Sequence, residues 1–326
     1  MKRIFSFLLL AGFCLSLAGC GGGSGASEDK PLTISINCYN GNYVEATTQI
    51  IQQEGLLEKY LPENVTVEYT GLVSGPEIRD AMLAGDIQIA GMSLMSFQTG
   101  LENDLPLTLI SFCGSTPINL YSNKSEITSL EDFTGSEQIT VTNRATNLHA
   151  AYLAQCKEMD LDITKYDGML IAAPNTEALA LLSDGNTVSG SILSFPTYVS
   201  AERMPGVHLI CDMSDAISKY SVGSAYVTTS EFYHEHPEIV EAFRKAQDDA
   251  LTLFAEEPDR MAEILAELYD VDTAVVLEAI EEVPPTKSLT GYDNLAALLY
   301  EVGILKQAPI PFAELPNYQD IADLGG

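Results

Sequence analysis

The sequence predicts an α/β protein with two sheets and a helical final third. Short β-rich runs alternate with amphipathic runs of helix length, which is typical of α/β layering. The alternation occurs twice along the chain, and residues 230–282 are rich in Ala, Glu and Leu. A chain of 326 residues has room for about two domains. We therefore expect two sheets flanked by helices, closed by a set of long helices.

The first series of elements begins at residue 33. Residues 33–39 alternate like a strand, and residues 44–53 carry apolar side chains at helical spacing before Gly55, a typical helix stop. A second helix is predicted to follow the capping-box pattern Ser74-Gly75-Pro76-Glu77 and to end at Gly85. The remaining elements of this series are strands over residues 65–69, 87–91 and 107–112 and a helix over residues 92–99.

The second series repeats the pattern and predicts the second sheet. Its strands are predicted over residues 139–142, 169–172 and 190–193, with helices over residues 147–159 and 176–183. Residues 230–282 are predicted to be almost entirely helical.

Acidic residues dominate the charge of the chain. It carries 46 acidic and 16 basic residues, a formal net charge of −30 at pH 7. Nucleic-acid binding depends on Lys and Arg that displace counterions from phosphates, so we exclude DNA and RNA as partners. With 46% hydrophobic and 19% charged residues, the composition also excludes a disordered chain and a protein of many membrane spans.

The N-terminus has the pattern of a secretory signal. Lys2 and Arg3 precede an apolar run over residues 4–17, shorter than the ~20 residues that span a bilayer, and Leu17-Ala18-Gly19-Cys20 resembles a bacterial lipobox. We expect a signal peptide over residues 1–19, a lipid anchor on Cys20 and a flexible linker over residues 20–30. The protein would then be extracytoplasmic and anchored to a bacterial membrane. A plain signal peptide or an uncleaved anchor is the alternative interpretation.

The cysteines give no metal pattern. Cys14 lies in the signal and Cys20 carries the predicted lipid, which leaves Cys38, Cys113, Cys156 and Cys211. Two disulfides and buried free thiols are both consistent with an exported protein, and no pairing is predicted. None of the spacings is typical of a zinc site, and we expect neither a metal nor a cofactor.

Four passages, taken in order, resemble one protein family. Residues 44–60 are similar to that family's first helix and its Gly-Leu-Phe-Glu-Lys turn. Residues 81–88 resemble an Ala-Leu-x-x-Gly-Asp-Ile-Asp step, and residues 179–196 resemble the matching step that ends at a Trp-Glu-Pro loop. Residues 232–269 contain a Pro-Glu-x-Val-x-x-Phe helix that starts at Pro237. The chain thus resembles the nitrate/sulfonate/taurine and thiamine-precursor binding proteins, the lipoprotein receptors of ABC importers.

Three departures from the family pattern affect the predicted ligand more than the fold. Gln88 and Ser189 stand where the family usually has aspartates, and Ser194-Phe195 stands where Trp-Glu is frequent. The resemblance implies four possible classes of ligand: sulfonates, nitrate, pyrimidines and aromatic acids.

The resemblance implies a two-lobed periplasmic-binding-protein-like fold of type II, each lobe a mixed sheet flanked by helices. Lobe 1 would comprise residues 31–116 plus 223–326, and lobe 2 residues 117–222, with a hinge near Gly114-Ser115 and Tyr220-Ser221. The implied function is the solute-binding subunit of an ABC importer, a non-enzyme that delivers a small organic solute to a permease and its ATPase. Alternatives are a sensor-accessory binding protein, or an enzyme related to pyrimidine-synthesising members of the fold.

The ligand is expected in loops that follow the strands, because open α/β sheets bind ligands at the carboxyl ends of their strands. These loops are polar or aromatic in both series. The predicted ligand-binding residues are Tyr39, Asn40, Gly41, Asn42, Ser74, Met92, Ser93, Asn143, Arg144, Thr146, Asn147, Ser194, Phe195 and Tyr198.

Several of these residues allow two interpretations. Arg144 is suited to clamp an anion, or to pair with one of many acidic neighbours. Tyr39 and Phe195 are suited to enclose a flat ring, or to pack between lobes.

Two further patterns favour structural roles. The segment His234-Glu235-His236 precedes a predicted helix start and lacks a third metal ligand, so capping is favoured over metal binding. Nothing in the sequence brings Cys38 and His149 together as nucleophile and base.

Overall fold

A computed structural model describes residues 31–73 and 75–325. The predicted signal peptide, the linker with Cys20, and Ser74 with its predicted ligand contact lie outside the described residues. In the described part of the chain, no helix is both long enough and apolar enough to span a membrane.

Strands and helices alternate through the first two thirds of the described chain. The strands are β1 (Leu32–Asn37), β2 (Val65–Thr70), β3 (Ala90–Ser93), β4 (Leu107–Gly114), β5 (Ile118–Ser122), β6 (Ile139–Val141), β7 (Leu170–Ala172), β8 (Gly190–Ser194), β9 (His208–Asp212) and β10 (Ser224–Thr229).

The α-helices lie between these strands and fill the C-terminal third. They are α1 (Ala46–Glu54), α2 (Gly75–Ala84), α3 (Leu94–Glu102), α4 (Asn147–Glu158), α5 (Ile163–Gly168), α6 (Asn175–Asp184), α7 (Thr197–Glu202), α8 (Ser214–Lys219), α9 (Ser230–Glu235), α10 (Pro237–Glu256), α11 (Pro258–Tyr269), α12 (Thr273–Glu282), α13 (Tyr292–Glu301) and α14 (Tyr318–Ile321). A 3-10 turn over Tyr43–Glu45 leads into α1.

The first sheet is built from two groups of strands. β1 pairs with β2 in parallel, and β10 lies antiparallel between β3 and β4. A parallel bridge between Ile36 and Ile89 joins the two groups. The strand order is therefore β2-β1-β3-β10-β4, in which all strands except β10 run in the same direction.

The second sheet has the order β7-β6-β8-β5-β9. β6 runs parallel to β7 and β8, while β5 runs antiparallel to β8 and β9. Both sheets are therefore mixed, as the family resemblance implied, whereas the alternation of strands and helices alone indicated parallel sheets. β10 returns the chain to the first sheet, and helices α9 to α12 follow, which confirms the predicted helical segment over residues 230–282.

The strand predicted over residues 87–91 was placed too early. β3 begins at Ala90 because β10 pairs only with Ala90 to Ser93. The backbone N–H groups of Asp86 and Ile87 still donate to the Ala81 carbonyl of the preceding helix, so this stretch completes the end of α2. The next helix accordingly begins at Leu94 rather than at residue 92.

Two apolar clusters form the core, and each combines side chains of both sheets. One cluster brings Phe112 of β4 together with Ile118 of β5. The other brings Tyr43 and Phe243 together with Phe195, which follows β8. Burial of apolar area of this kind is the main favourable contribution to folding, so the two sheets are stabilised jointly as well as separately.

Two chain segments cross side by side between the sheets. The Ser115 hydroxyl donates to the Val222 carbonyl over 2.6 Å. A Cβ atom at Gly223 would lie 2.2 Å from the Gly114 carbonyl oxygen, so glycine is required where the two crossings meet. The Gly291 N–H, just before α13, donates to the Ser221 hydroxyl and ties the second crossing to the C-terminal helices.

The four cysteines of the described chain are free thiols. Cys38, Cys113 and Cys156 are buried, and Cys211 is partly exposed. Burial raises the pKa of Cys156 to about 12 and that of Cys211 to about 11. All four therefore behave as protonated, apolar side chains near neutral pH.

Candidate ligand-binding site

The carboxyl ends of the parallel strands of each sheet meet at one edge. In the first sheet β1, β2, β3 and β4 end together, and in the second sheet β6, β7 and β8 do so. The loops that follow these strands hold most of the predicted ligand-binding residues. Such edges are where open α/β sheets bind small molecules.

The loops of the two sheets contact each other. The Asn147 amide at the start of α4 donates to the Ser224 hydroxyl over 3.2 Å. Ser224 pairs with Ser93 at the end of β3, so Asn147 and Ser93 both lie next to Ser224. We call the region between these strand-end loops of the two sheets the gap. The Ser96 hydroxyl of α3 also donates to the Ala145 carbonyl over 3.1 Å. The structure thus brings predicted residues of both sheets together.

Four aromatic rings pack together beside the loops that follow β1 and β8. Phe195 lies with its ring centroid 5.7 Å from that of Tyr43, 5.8 Å from that of Tyr198 and 5.9 Å from that of Tyr269. Phe195 is only 1% exposed, so its ring packs between the sheets, which was one of its two predicted roles. Tyr43 and Tyr269 were not predicted, because the sequence does not show that α11 reaches the end of β1.

The loop after β1 folds over itself. A Cβ atom at Gly41 would lie 2.4 Å from the Tyr39 hydroxyl oxygen, so the Tyr39 ring covers its own loop. The Asn42 side chain accepts from the Val44 N–H and caps the 3-10 turn, while Asn40 is exposed. The Gln49 amide donates to the Tyr39 carbonyl over 2.8 Å and holds the loop in place.

Glu45 lies at the centre of this edge and was not predicted. It is 8% exposed, and its Oε2 accepts from the Tyr39 N–H over 2.7 Å. Its Oε1 lies close to Gly91 of β3, 3.7 Å from the position a Cβ would take there. Burial raises the pKa of Glu45 to about 8, despite the opposing effect of the Tyr39 hydrogen bond. From the sequence alone, Glu45 is indistinguishable from an ordinary acidic residue in the first turn of a helix.

Arg144 is engaged in an ion pair. Its Nη1 donates to both carboxylate oxygens of Asp167, over 2.6 and 2.7 Å, and its Nη2 to the Asp167 and Leu170 carbonyls. A hydrogen bond from His149 and this ion pair lower the pKa of Asp167. The structure therefore favours the ion-pair interpretation of Arg144 over the anion clamp.

Thr146 and Asn143 shape the turn next to Arg144. The Thr146 hydroxyl donates to the Asn143 carbonyl over 2.8 Å, and its oxygen caps α4 by accepting from the His149 N–H. Ala145 between them has a φ of 61°, in the left-handed region that few non-glycine residues adopt. Both predicted residues thus hold the loop that presents Asn147.

Three buried polar atoms at these strand ends have no hydrogen-bond partner among the described residues. They are Ser93 Oγ at the end of β3, Asn147 Oδ1 at the start of α4, and Asn175 Oδ1 at the start of α6. Buried polar atoms of this kind are rare in folded proteins unless a ligand or water completes them. Asn175 was not predicted, although it begins a helix directly after strand β7.

Carboxylates surround Tyr198. After burial, the largest effects on its pKa come from Glu282, Glu202, Asp212 and Glu278, all of which raise it. Glu202 also accepts from the Tyr121 hydroxyl over 2.8 Å. The Ser214 hydroxyl donates to Glu282 over 2.6 Å, which links α8 to the end of α12. The aromatic side of the gap is therefore strongly acidic.

The remaining predicted residues have modest roles. Met92 is 9% exposed and belongs to the apolar core, and Ser194 ends β8. His236 Nδ1 lies 3.4 Å from Glu238 Oε1 at the start of α10. Within residues 31–73 and 75–325, no group of three or more His, Cys, Asp or Glu is placed to hold a metal.

A cavity of about 420 Å³ lies away from this edge. It is lined by α4, α5 and the end of α13, and Lys157 pairs across it with Glu301 over 2.6 Å. The lining includes none of the predicted ligand-binding residues.

Solved structures of binding proteins are similar to this chain over most of its length. The periplasmic aliphatic sulphonate binding protein SsuA of Escherichia coli has a TM-score of 0.69 at 18% identity, covering 90% of this chain and 97% of that one. The ligand-binding component of an ABC-type import system from Staphylococcus aureus, with zinc bound, has a TM-score of 0.73 at 13% identity, covering 90% and 99%. The alkanesulfonate-binding protein SsuA of Xanthomonas axonopodis pv. citri, bound to MOPS, has a TM-score of 0.66 at 15% identity, covering 91% and 99%.

These similarities confirm the predicted fold class. The chain has the fold of periplasmic binding proteins, with two mixed sheets whose strand ends face each other. No protein-family model matches the sequence, and no curated protein matches it.

Proposed function

We propose that this chain is the extracytoplasmic solute-binding subunit of an ABC importer. It captures a small organic solute between two lobes and delivers it to a permease and its ATPase. The observation that carries this proposal is that strand-end loops of the two sheets meet where Ser93, Asn147 and Asn175 hold buried polar atoms with no hydrogen-bond partner among the described residues. The proteins of the same fold named above include an import-system component and two sulfonate-binding proteins.

The lobes follow the two sheets. Lobe 1 comprises residues 31–116 plus 223–326, and lobe 2 comprises residues 117–222. The crossings near Gly114-Ser115 and Tyr220-Ser221 act as the hinge, because a few loop residues are enough to absorb a rigid-body closure. The close contact between Gly223 and Gly114 supports this assignment, since it makes the two crossings move as one unit.

The N-terminus supplies the anchor. Residues 1–19 are removed as a signal peptide, Cys20 carries the lipid, and residues 20–30 tether the lobes to the membrane. A solute-binding protein held this way stays close to its permease, which raises its effective concentration there.

Native mass spectrometry of the full chain, purified without denaturation, tests the binding role. The expected result is a complex with one small organic molecule, and release of that molecule on unfolding. Adding it back at a hundred times its dissociation constant should stabilise the folded state by ~2.7 kcal/mol. A ligand-free mass, with no stabilisation by sulfonates, nitrate, pyrimidines, aromatic acids or amines, would contradict the proposal.

A further inference from the structure

The Glu45 carboxyl group lies over the carboxyl ends of three parallel strands. Tyr39 follows β1 and donates to its Oε2, and its Oε1 lies beside Gly91 of β3. Cys113, near the end of β4, is close enough for the Glu45 charge to raise its pKa. This is the edge where the lobe-1 loops meet the gap. Among the described residues, no hydrogen bond is formed to Oε1.

Among the described residues, no ion pair joins Glu45 to a basic side chain. Its titratable neighbours are two thiols and two phenols, and each has a pKa raised above its ordinary value, so none is charged at neutral pH: Cys38, Cys113, Tyr226 and Tyr269. Burial raises the pKa of Glu45 to about 8, so its carboxyl group is largely protonated near neutral pH, and a nearby positive charge favours the ionised form. Glu45 is therefore suited to bind a positively charged group, which the described chain does not supply.

Two of the other unpartnered atoms at the gap are amide oxygens, and the third is the Ser93 hydroxyl, which both donates and accepts. Asn147 and Asn175 each use the side-chain N–H₂ group within the protein, to Ser224 and Thr197, and leave Oδ1 without a donor. In this orientation, a solute that completes both amides must bring N–H or O–H donors.

The loops carry little positive charge. Among the described residues, the loops after β1–β4 and β6–β8 carry a single basic side chain, Arg144, and its guanidinium is committed to Asp167. The four carboxylates near Tyr198 add negative charge beside the gap. A sulfonate or nitrate entering here meets acceptors and like charge, whereas a cation is attracted.

We propose that the solute is a nitrogenous cation, whose protonated amine or amidinium group binds the Glu45 carboxyl and whose further donors reach Asn147 and Asn175. The inference rests on the proposed binding function and names the class of its solute. Glu45 is the residue that selects the cation. The assignment differs from the sulfonates named for two of the similar structures.

Matched probe pairs test the charge that the site selects. Butylamine is compared with butane-1-sulfonate, benzylamine with phenylmethanesulfonate, and benzamidine with benzoate. Each is titrated into the full chain by calorimetry, in parallel with the Glu45→Gln variant and with Glu68→Gln as a control, since Glu68 is exposed on β2. Native mass spectrometry identifies any solute that co-purifies.

The expected result is at least tenfold tighter binding of one cation than of its anionic partner. Glu45→Gln should weaken that binding at least tenfold, whereas Glu68→Gln should change it less than twofold. Tighter binding of an anion, a co-purified anion, or equal affinity of Glu45→Gln for the cation would overturn the inference and leave the binding role intact. If no probe binds and nothing co-purifies, both the inference and the proposed function fail. Even if Glu45→Gln does not fold, the comparison of cationic and anionic probes on wild type still shows which charge the site prefers.

Discussion

The ring of Phe195, which follows a strand of the second sheet, meets the ring of Tyr43 of the first lobe edge to face, with centroids 5.7 Å apart and planes at 89°. The Tyr43 hydroxyl also donates to the Val283 carbonyl over 3.1 Å, which fixes that ring to the end of α12. One side chain from each lobe thus forms a direct apolar contact beside the proposed solute site.

This contact should be measurable by a double-mutant cycle. Edge-to-face aromatic pairs contribute about 0.5–1.5 kcal/mol beyond the area that they bury. We expect Tyr43→Leu and Phe195→Leu to show a coupling energy of about 1 kcal/mol in urea unfolding. The control pairs Phe195→Leu with Tyr292→Leu, since Tyr292 packs on Phe312 instead. Equal coupling in both cycles would contradict a specific contact between Phe195 and Tyr43.

Glu45 should make stability depend on pH with a defined sign. Its pKa is raised from 4.5 to about 8 by burial, so the folded state retains a proton that the unfolded state loses. The stabilisation from protonated Glu45 is complete below pH 4.5 and is lost as pH rises through about 8. Glu45→Gln removes this dependence. The free energy of unfolding of the variant should therefore rise relative to that of wild type, by up to ~1.4 kcal/mol per pH unit between pH 5 and pH 8.

Urea unfolding of the ligand-free proteins at several pH values checks this dependence. The neighbouring thiols and phenols have raised pKa values, so they do not titrate in the folded state within that range. Glu68→Gln serves as the control, and its stability should run parallel to that of wild type. A constant difference between Glu45→Gln and wild type from pH 5 to pH 8 would show that Glu45 is ionised without penalty.

Gly223→Ala should disturb the contact between the two crossings. The new Cβ would lie 2.2 Å from the Gly114 carbonyl oxygen and 2.4 Å from the Phe112 ring, and backbone gives way less readily than a flexible side chain. Overpacking of this kind costs about 1–3 kcal/mol. Gly168→Ala is the matched control, because its Cβ meets nothing within 4 Å. Equal melting temperatures for the two variants would contradict the tight crossing.

Arg144→Ala should separate the two interpretations that the sequence leaves open. The Arg144 side chain is 48% exposed and that of Asp167 33%, so the ion pair is screened by solvent and contributes at most about 1 kcal/mol. We expect a small loss of stability and an unchanged affinity for the co-purified solute. Asp167→Asn should lower the stability further, because Asp167 also bonds His149 over 2.7 Å. A loss of affinity of tenfold or more, measured by calorimetry, would restore the anion clamp.

Cys20→Ala should release the protein from the membrane. Wild type is expected in the membrane fraction and the variant in the soluble extracytoplasmic fraction, because a lipid provides the hydrophobic contact with the bilayer. Cys211→Ala should remain with the membrane. Immunoblots of the separated fractions measure this, and membrane retention of Cys20→Ala would indicate an uncleaved anchor instead.

The sequence predicts the features that depend on local chemistry. The helix stop at Gly55, with a φ of 58°, and the start of α4 at Asn147 both follow from residue preferences within one turn. The strand-end loops follow from the same local patterns. Their pairing into two facing edges was predicted through the resemblance to a family rather than from any one pattern.

The features that were missed depend on contacts between distant segments. Glu45 is exposed or buried according to whether β3 and β4 lie beside it, which a pattern around residue 45 does not show. Tyr269 reaches Gln49 over 2.5 Å across 220 positions of the chain. The ion pair of Arg144 likewise depends on Asp167, which lies 23 positions further along the chain.

Hydrogen–deuterium exchange of the full chain, with the co-purified solute bound and after its removal, tests most directly that the solute lies between the lobes. Binding should slow exchange in the loops of both sheets, at residues 39–45 and 93–96 of lobe 1 and at residues 143–147 and 195–198 of lobe 2. Protection confined to one lobe, or to the cavity lined by α4, α5 and α13, would contradict capture between the two lobes.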